Sequence, residues 1–200
     1  MPPEAPVFIA RDFSPIRTER LLLRAMTLDD TDAVHSYMSD PEVCRYLLHE
    51  PRSRQIVAEK IAEWSMSTRL AEVGDYLQLA LELHAAGTHT GRVIGHLYFT
   101  LKSIDDLAAE IGWTLHPDFE GSGYATEAAE SMLAYAFGEL GLHRVVAELD
   151  PRNAASIALC RRLGMREEAL FRDEMWLKGE WSDTGVYAIL HAEWSSRHRD

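Results

Sequence analysis

The stretch from His116 to Glu127, His-Pro-Asp-Phe-Glu-Gly-Ser-Gly-Tyr-Ala-Thr-Glu, constrains the fold of this chain more than any other. Gly121 and Gly123 stand one residue apart and are followed by small residues, a pattern that lets a backbone turn sharply and approach another group closely. From Ala125 onward, Ala128, Ala129, Met132, Leu133, Ala136 and Phe137 recur at helical spacing and form one apolar face. Before the turn, Ala109, Ile111, Trp113 and Leu115 alternate with Glu110, Gly112 and Thr114, as in a strand. The turn therefore carries a strand into a helix N-terminus.

The first amides of a helix lack carbonyl partners and act as roughly half a positive charge, which stabilises a nearby anion by about 0.3–1 kcal/mol. Combined with glycines that admit a phosphate to the backbone, this is the arrangement of a pyrophosphate cradle, and it points to a nucleotide-containing cofactor. An ordinary loop ahead of an amphipathic helix has the same local pattern.

A chain of 200 residues with 46% hydrophobic content is large enough for one well-buried core. We expect an arm over residues 1–17, one domain over 18–194 and a short tail over 195–200. The 20 basic and 32 acidic residues give a net charge of −12, which opposes binding to nucleic acid or to anionic lipid. Cys44 and Cys160 belong to no C-x-x-C or zinc spacing and read as reduced thiols of a cytoplasmic protein. The nine histidines form no metal-binding pattern, so no metal is expected. The proline-rich start from Met1 to Ala10 does not resemble a signal peptide, and no apolar run approaches the roughly 18 residues of a membrane span.

Along the chain, Arg20 to Arg24 reads as a first strand, and Thr27 with Asp30 as a capping box ahead of a helix that buries Val34, Tyr37 and Met38. Asp40-Pro41 ends that helix, and a second one is expected from Ser53 to about Leu70. Tyr76 to Leu83 and Val93 to Leu101 form a hairpin around a turn at Gly87 to Gly91. Gly112, in the middle of the third strand, marks a bulge or a close approach. After the helix that follows the glycine turn come a strand from His143 to Leu149, an Asn153-capped helix closed by Gly164, and strands at Glu168 to Leu177 and Thr184 to Ala192. This order predicts an α+β fold: a mixed, mostly antiparallel central sheet with helices packed on it.

Strand, glycine turn, helix, strand and Asn-capped helix together resemble the cofactor half of the acyl-CoA-dependent N-acetyltransferase (GNAT) superfamily, whose pyrophosphate loop reads Q/R-x-x-G-x-G/A and is Glu120 to Ala125 here. Thr18 to Arg24, Asp40 to Val43, Asn153 to Ser156, Gly164-Met165, Lys178 to Asp183 and Glu193-Trp194 extend the resemblance to the branch of ribosomal-protein N-terminal acetyltransferases, the RimJ and RimL type. The resemblance implies the acyl-CoA N-acyltransferase fold, with helices on both faces and a sheet splayed where acetyl-CoA enters. It also implies transfer of acetyl to an amine-bearing acceptor, either a protein N-terminus or a small molecule.

By the same resemblance, backbone amides near Trp113, Thr114 and Leu115 meet pantetheine and thioester, and Gly121, Ser122, Gly123, Tyr124, Ala125 and Thr126 hold the pyrophosphate. Asn153 reaches the cofactor arm while it caps its helix. Glu120 departs from the family's Gln or Arg, which puts a negative side chain beside the phosphates. Cys160 stands where many members carry a tyrosine that protonates the leaving thiolate, and Ser156 is the proton donor implied for the ribosomal branch. Glu110 is the candidate base, acting through water, with Glu82 and His96 in reserve. A lysine-like amine near pKa 10.4 costs roughly 4.6 kcal/mol to present as the neutral form at pH 7, and an α-amine near 7.8 costs about 1, so the acceptor decides how strong a base is needed.

Strand, G-x-G, helix, strand and Asp150 also imitate a dinucleotide-binding fingerprint, but residues His116 to Glu120 separate the strand from the first glycine, and that strand alternates instead of being wholly apolar. A non-catalytic member that binds acyl-CoA or a partner protein is the other alternative, motivated by Glu120 and Cys160. The N-terminal arm and the final hairpin are candidate elements of a homodimer.

Overall fold

The computed structural model describes residues 7–85 and 88–198, and only the backbone of residues 85 and 88–90. In chain order the elements are β1 (Arg11–Asp12), β2 (Ile16–Arg17), β3 (Leu21–Ala25), α1 (Thr31–Met38), α2 (Pro41–Cys44), α3 (Arg54–Trp64), β4 (Arg69–Leu70), β5 (Tyr76–Ala85) and β6 (Thr88–Ser103). They continue with β7 (Ala108–Leu115), α4 (Tyr124–Gly138), β8 (Arg144–Leu149), α5 (Ala154–Leu163), β9 (Arg166–Leu177), β10 (Glu180–Leu190) and α6 (His191–Arg197). Eight strands form one sheet in the order β2-β3-β5-β6-β7-β8-β10-β9. Every neighbouring pair is antiparallel except β7 with β8. No helix among the described residues is long and apolar enough to cross a membrane.

The odd-numbered leucines of β5, Leu77, Leu79 and Leu81, face a core completed by Met132, Leu133 and Phe137 of α4, Cys160 and Leu163 of α5, and Trp194 of α6. Their even-numbered neighbours, Gln78 and Glu82, are also buried, together with His96, Thr100 and Thr114. A second apolar cluster lies over that face, built from Val34, Tyr37 and Met38 of α1 and Val57, Ile61 and Trp64 of α3. Helices thus cover both faces, as the resemblance implied.

Burying the polar face requires partners for it. Arg24 lies between two carboxylates, bidentate to Asp30 at 2.8 Å on each nitrogen and bonded to Glu82 at 2.5 Å. Asp30 also accepts from the Thr27 amide and so closes the capping box. Burial pushes the Asp30 carboxyl upward, but the bonds from Arg24 and Thr27 more than offset it and hold it below its usual range.

The helix expected to reach Leu70 ends at Trp64. Ser65, Ser67 and Thr68 compete for backbone bonds, and Leu70 is fully buried in a short strand paired with Arg11. The last strand stops at Leu190, where the Glu193 carboxylate accepts from the Leu190 amide and starts α6 two residues before the expected end. Residue 87 of the turn expected at Gly87 to Gly91 lies outside the described residues, and residues 88–91 belong to β6.

Gly112 marks no bulge. It pairs in register with Tyr98, and a Cβ there would meet Tyr98 Cβ at 3.7 Å, an ordinary contact. The close approach occurs at Gly95, where a Cβ would strike the Thr114 carbonyl and come within 3.0 Å of Leu115 Cα. Next to it the pairing of β5 with β6 slips between Ala80 and Glu82. Gly95→Ala is therefore expected to destabilise the fold by about 1–3 kcal/mol. Gly112→Ala is expected to change stability by less than about 0.5 kcal/mol, and urea denaturation of the two variants checks the contrast.

Candidate active site

The parallel pairing of β7 with β8 covers only Ala108 with Arg144, Ala109 with Val145 and Glu110 with Val146. Beyond Glu110 the strands part, because β7 stays with β6 through Leu115 while β8 stays with β10 through Leu149. The His116 amide donates to the Ile94 carbonyl of β6, so by alternation the amides of Trp113 and Leu115 point away from β6 into the gap. A sheet that opens in this way leaves backbone donors free for a ligand that replaces the missing strand.

On one side of the gap is a cavity of about 500 Å³. Its walls carry Glu110, Gly112, Trp113 and Thr114 of β7, Asn153 and Ser156 at the start of α5, and the loop from Tyr46 to His49. The β9–β10 hairpin closes another side with Glu174, Met175, Ser182 and Asp183. Lys178, at the turn of that hairpin, donates to the carbonyls of Cys44 and Arg45 and ties the hairpin to the end of α2. On the other side is a more open cleft, lined by Leu115, Gly121, Gly123, Tyr124, Ala125 and Thr126, with Arg20 and Arg162 at its edge.

The glycine turn has the geometry expected of an anion cradle. Gly121 and Gly123 have φ of 72° and 83°, a region that favours glycine, and Gly123 is the N-cap of α4. Glu127 donates its amide to the Gly123 carbonyl, and the amides of the residues before it in α4 open on the cleft. Glu120 is exposed and is not part of the cleft lining, so its charge is turned to solvent. Ser122 is likewise exposed, and its carbonyl accepts from Arg20 at 2.9 Å.

Arg20 is the residue of this site that sequence reasoning missed. It donates to Glu127 from both its backbone amide and Nε, at 2.7 and 2.6 Å, and stacks over the Tyr124 ring at 4.5 Å. Thr18 adds a further bond to Glu127 at 2.5 Å. Burial alone raises the Glu127 carboxyl, but these bonds hold it below its ordinary range. Only the Thr18–Arg24 motif signalled this, and it was legible as a strand, not as a clamp on a turn about a hundred residues later.

The Ser156 hydroxyl accepts from the Trp113 indole at 3.2 Å, which leaves its own proton free to point into the cavity. Asn153 Oδ1 accepts from the Ser156 amide at 3.0 Å, so Asn153 is the cap of α5 while its side chain lines the cavity. Glu110 shares Lys102 with Glu148, at 2.9 and 3.1 Å. Cys160 is brought to neither opening. It is fully buried among Leu159, Leu163 and Tyr187, and burial pushes its thiol up to about 12.

Of the reserve bases, Glu82 lies outside the cavity on Arg24. His96 lines the cavity, with Nδ1 2.9 Å from the Tyr37 hydroxyl, but burial holds it down to about 3, so it is a neutral and weakly basic imidazole. Among the described residues no group of three or more His, Cys, Asp or Glu is placed to hold a metal ion.

A mixed sheet opened beside a glycine-capped helix, with a polar cavity across the gap, defines an acyl-CoA N-acyltransferase fold. The acetyltransferase (GNAT) domain family matches residues 20–166, and the chain belongs to that family of acetyltransferase enzymes. It is 32% identical over 180 residues to the uncharacterized N-acetyltransferase YnaD of Bacillus subtilis, covering 90% of this chain and 99% of that one. A GNAT-family acetyltransferase structure from Bacillus anthracis is 31% identical with a TM-score of 0.78, covering 90% of this chain and all of the other. RimL, a ribosomal L7/L12 α-N-protein acetyltransferase solved with coenzyme A, shares the fold at 18% identity and a TM-score of 0.73, covering 88% of this chain and 98% of its own.

Two outcomes are expected from this geometry. Arg20→Gln, which loosens the glycine turn, should raise the Kd for coenzyme A by about tenfold and leave the Kd for pantetheine, which has no phosphates, unchanged by calorimetry. His96, neutral when folded, gains a proton near pH 6.5 when unfolded. Its lowered folded value means stability is full above that pH and falls below it, by about 2 kcal/mol at pH 5. Denaturation of wild type and His96→Gln at both pH values should show a shallower pH dependence in the variant.

Proposed function

We propose that this enzyme transfers the acetyl group of acetyl-CoA to a primary amine, on a protein N-terminus or a small molecule, by direct attack of the amine on the thioester. The observation that carries this reading is the gap beyond Glu110 and Val146, with the phosphate cradle on one side and the polar cavity on the other. The pyrophosphate fits the amides of α4 and the glycines at positive φ, the pantetheine arm fits the free edge of β7, and the amine fits the cavity.

The chain's own groups have clear tasks in this scheme. The amides of Trp113 and Leu115 hold the arm and face the oxygen that gains charge when nitrogen adds to the carbonyl. As the carbon–sulfur bond breaks, Ser156 gives its proton to the sulfur; its hydroxyl oxygen is already bonded to the Trp113 indole, which orients that proton towards the cavity. Glu110 receives the proton lost by the amine through water, and Lys102 holds the carboxylate in place. Asn153 orients Ser156 by capping its helix. An α-amine or other weakly basic amine asks least of this arrangement, which agrees with the relay through water.

Calorimetric titration with acetyl-CoA and CoA, followed by thiol release with a pooled amine panel, tests the reading. Wild type is expected to bind at micromolar concentration, and Gly123→Asp, which sets a carboxylate against the cradle and strains a positive φ, to lose at least about tenfold in affinity. Ser156→Ala is expected to lower kcat with the Kd for acetyl-CoA unchanged. Absence of binding by wild type would overturn the acetyl-transfer reading.

A further inference from the structure

His96 lies on β6 opposite Thr114 of β7 and shares its face of the sheet with Tyr98, which pairs with Gly112. All four residues line the cavity, beside Trp113, whose indole holds Ser156. The His96 ring is 6% exposed, with Nδ1 2.9 Å from the Tyr37 hydroxyl. The rings of Tyr37 and Trp64 pack around the imidazole, with centroids at 5.6 and 6.1 Å, and fix its plane. Nε2 has no hydrogen-bond partner among the described residues, and it is reached from the cavity instead of being sealed in the core.

The Tyr37 hydroxyl decides which nitrogen carries the proton. Tyr37 is fully buried, and its hydroxyl has no second partner among the described residues. A proton on Nδ1 would be donated to the phenol oxygen and leave the phenol proton buried without an acceptor, at a cost of about 1–3 kcal/mol. With the phenol donating to Nδ1, both buried groups are satisfied, and the ring's own proton sits on Nε2, open to the cavity. Burial keeps the ring neutral, with the charges of His49 and Arg52 adding to the effect, so His96 is a donor and not a base.

We infer that His96 selects the acceptor: its Nε2–H donates to an oxygen that the amine substrate carries close to its reacting nitrogen, and Tyr37 is the positioning residue that holds the ring in this tautomer. This deepens the acetyl-transfer reading and rests on it. A fixed N–H cannot accept from an ammonium group, and donation to the nitrogen lone pair would blunt the nucleophile, so the group it suits is an oxygen. A plain alkylamine would leave this donor desolvated and unpaired, which is the kind of mismatch that a polar site rejects most strongly.

The experiment compares methoxyethylamine with butylamine, which has a methylene in place of the ether oxygen; that oxygen can only accept. The readout is the ratio of their kcat/KM, from thiol release with acetyl-CoA, so the difference in their basicity cancels between proteins. His96→Asn keeps an oxygen for the Tyr37 hydroxyl but has no donor at the far side of the ring, and should lower the ratio by about five- to tenfold. His96→Gln, whose amide nitrogen reaches the position of Nε2, should hold the ratio within about twofold of wild type. Long-range nitrogen–proton NMR of wild type should show His96 protonated on Nε2 and bare on Nδ1. Tyr37→Phe should give a mixture of tautomers and a lower ratio. A protonated Nδ1 in wild type would overturn the inference, as would an unchanged ratio in His96→Asn, including the case in which both amines slow equally. Should acetyl-CoA fail to bind, the transfer reading is lost. In that case, or if neither amine reacts, titration of the two amines against the Nε2 resonance decides the role of His96 separately, and a response that does not favour methoxyethylamine would overturn it.

Discussion

The structure depends on the sharing of two central strands between different partners. β7 keeps its bonds to β6, and β8 keeps its bonds to β10, so the one parallel pairing between them survives over three residues and then opens. A sheet interior with unpaired backbone groups is costly unless a ligand or water meets them. The opening is thus both a weakness of the fold and the place where the proposed transfer would occur. Gly95 keeps β7 close to β6 along this stretch, because only a residue without a side chain lets β6 lie so near Thr114 and Leu115.

Charge is arranged around this opening in two ways. On the cradle side, Glu127 fastens the first turn of α4 to Thr18 and Arg20, so the amides that face the cleft are held before any anion arrives. On the cavity side, the buried polar face of the sheet is satisfied internally, with Arg24 between Asp30 and Glu82 and His96 on Tyr37. On the cavity wall, Lys102 pairs with Glu110 and Glu148, and Arg152 with Asp150.

What could be read from the sequence was local. The glycine turn, the helix it caps, the Asn153 cap and the alternation of β5, β6 and β7 are all set by neighbours within a few residues, and each appears where spacing put it. The errors were at boundaries and at distance. The serines after Trp64 ended α3 early, and Gly112 drew attention that belonged to Gly95, whose constraint is the backbone of another strand. Cys160 sits at a position the family resemblance made notable, yet helix periodicity turns it wholly into the core.

The sequence by itself determined most of the elements, their order and the glycine turn that caps α4, because helix period, strand alternation and glycine turns are properties of short stretches. Tertiary structure alone decided that Arg20 would clamp Glu127, that Lys102 would divide itself between Glu110 and Glu148, and that a hairpin near the end of the chain would close the cavity against α2. Those contacts join residues far apart in the chain, and side-chain identity does not reveal a partner that only packing brings near.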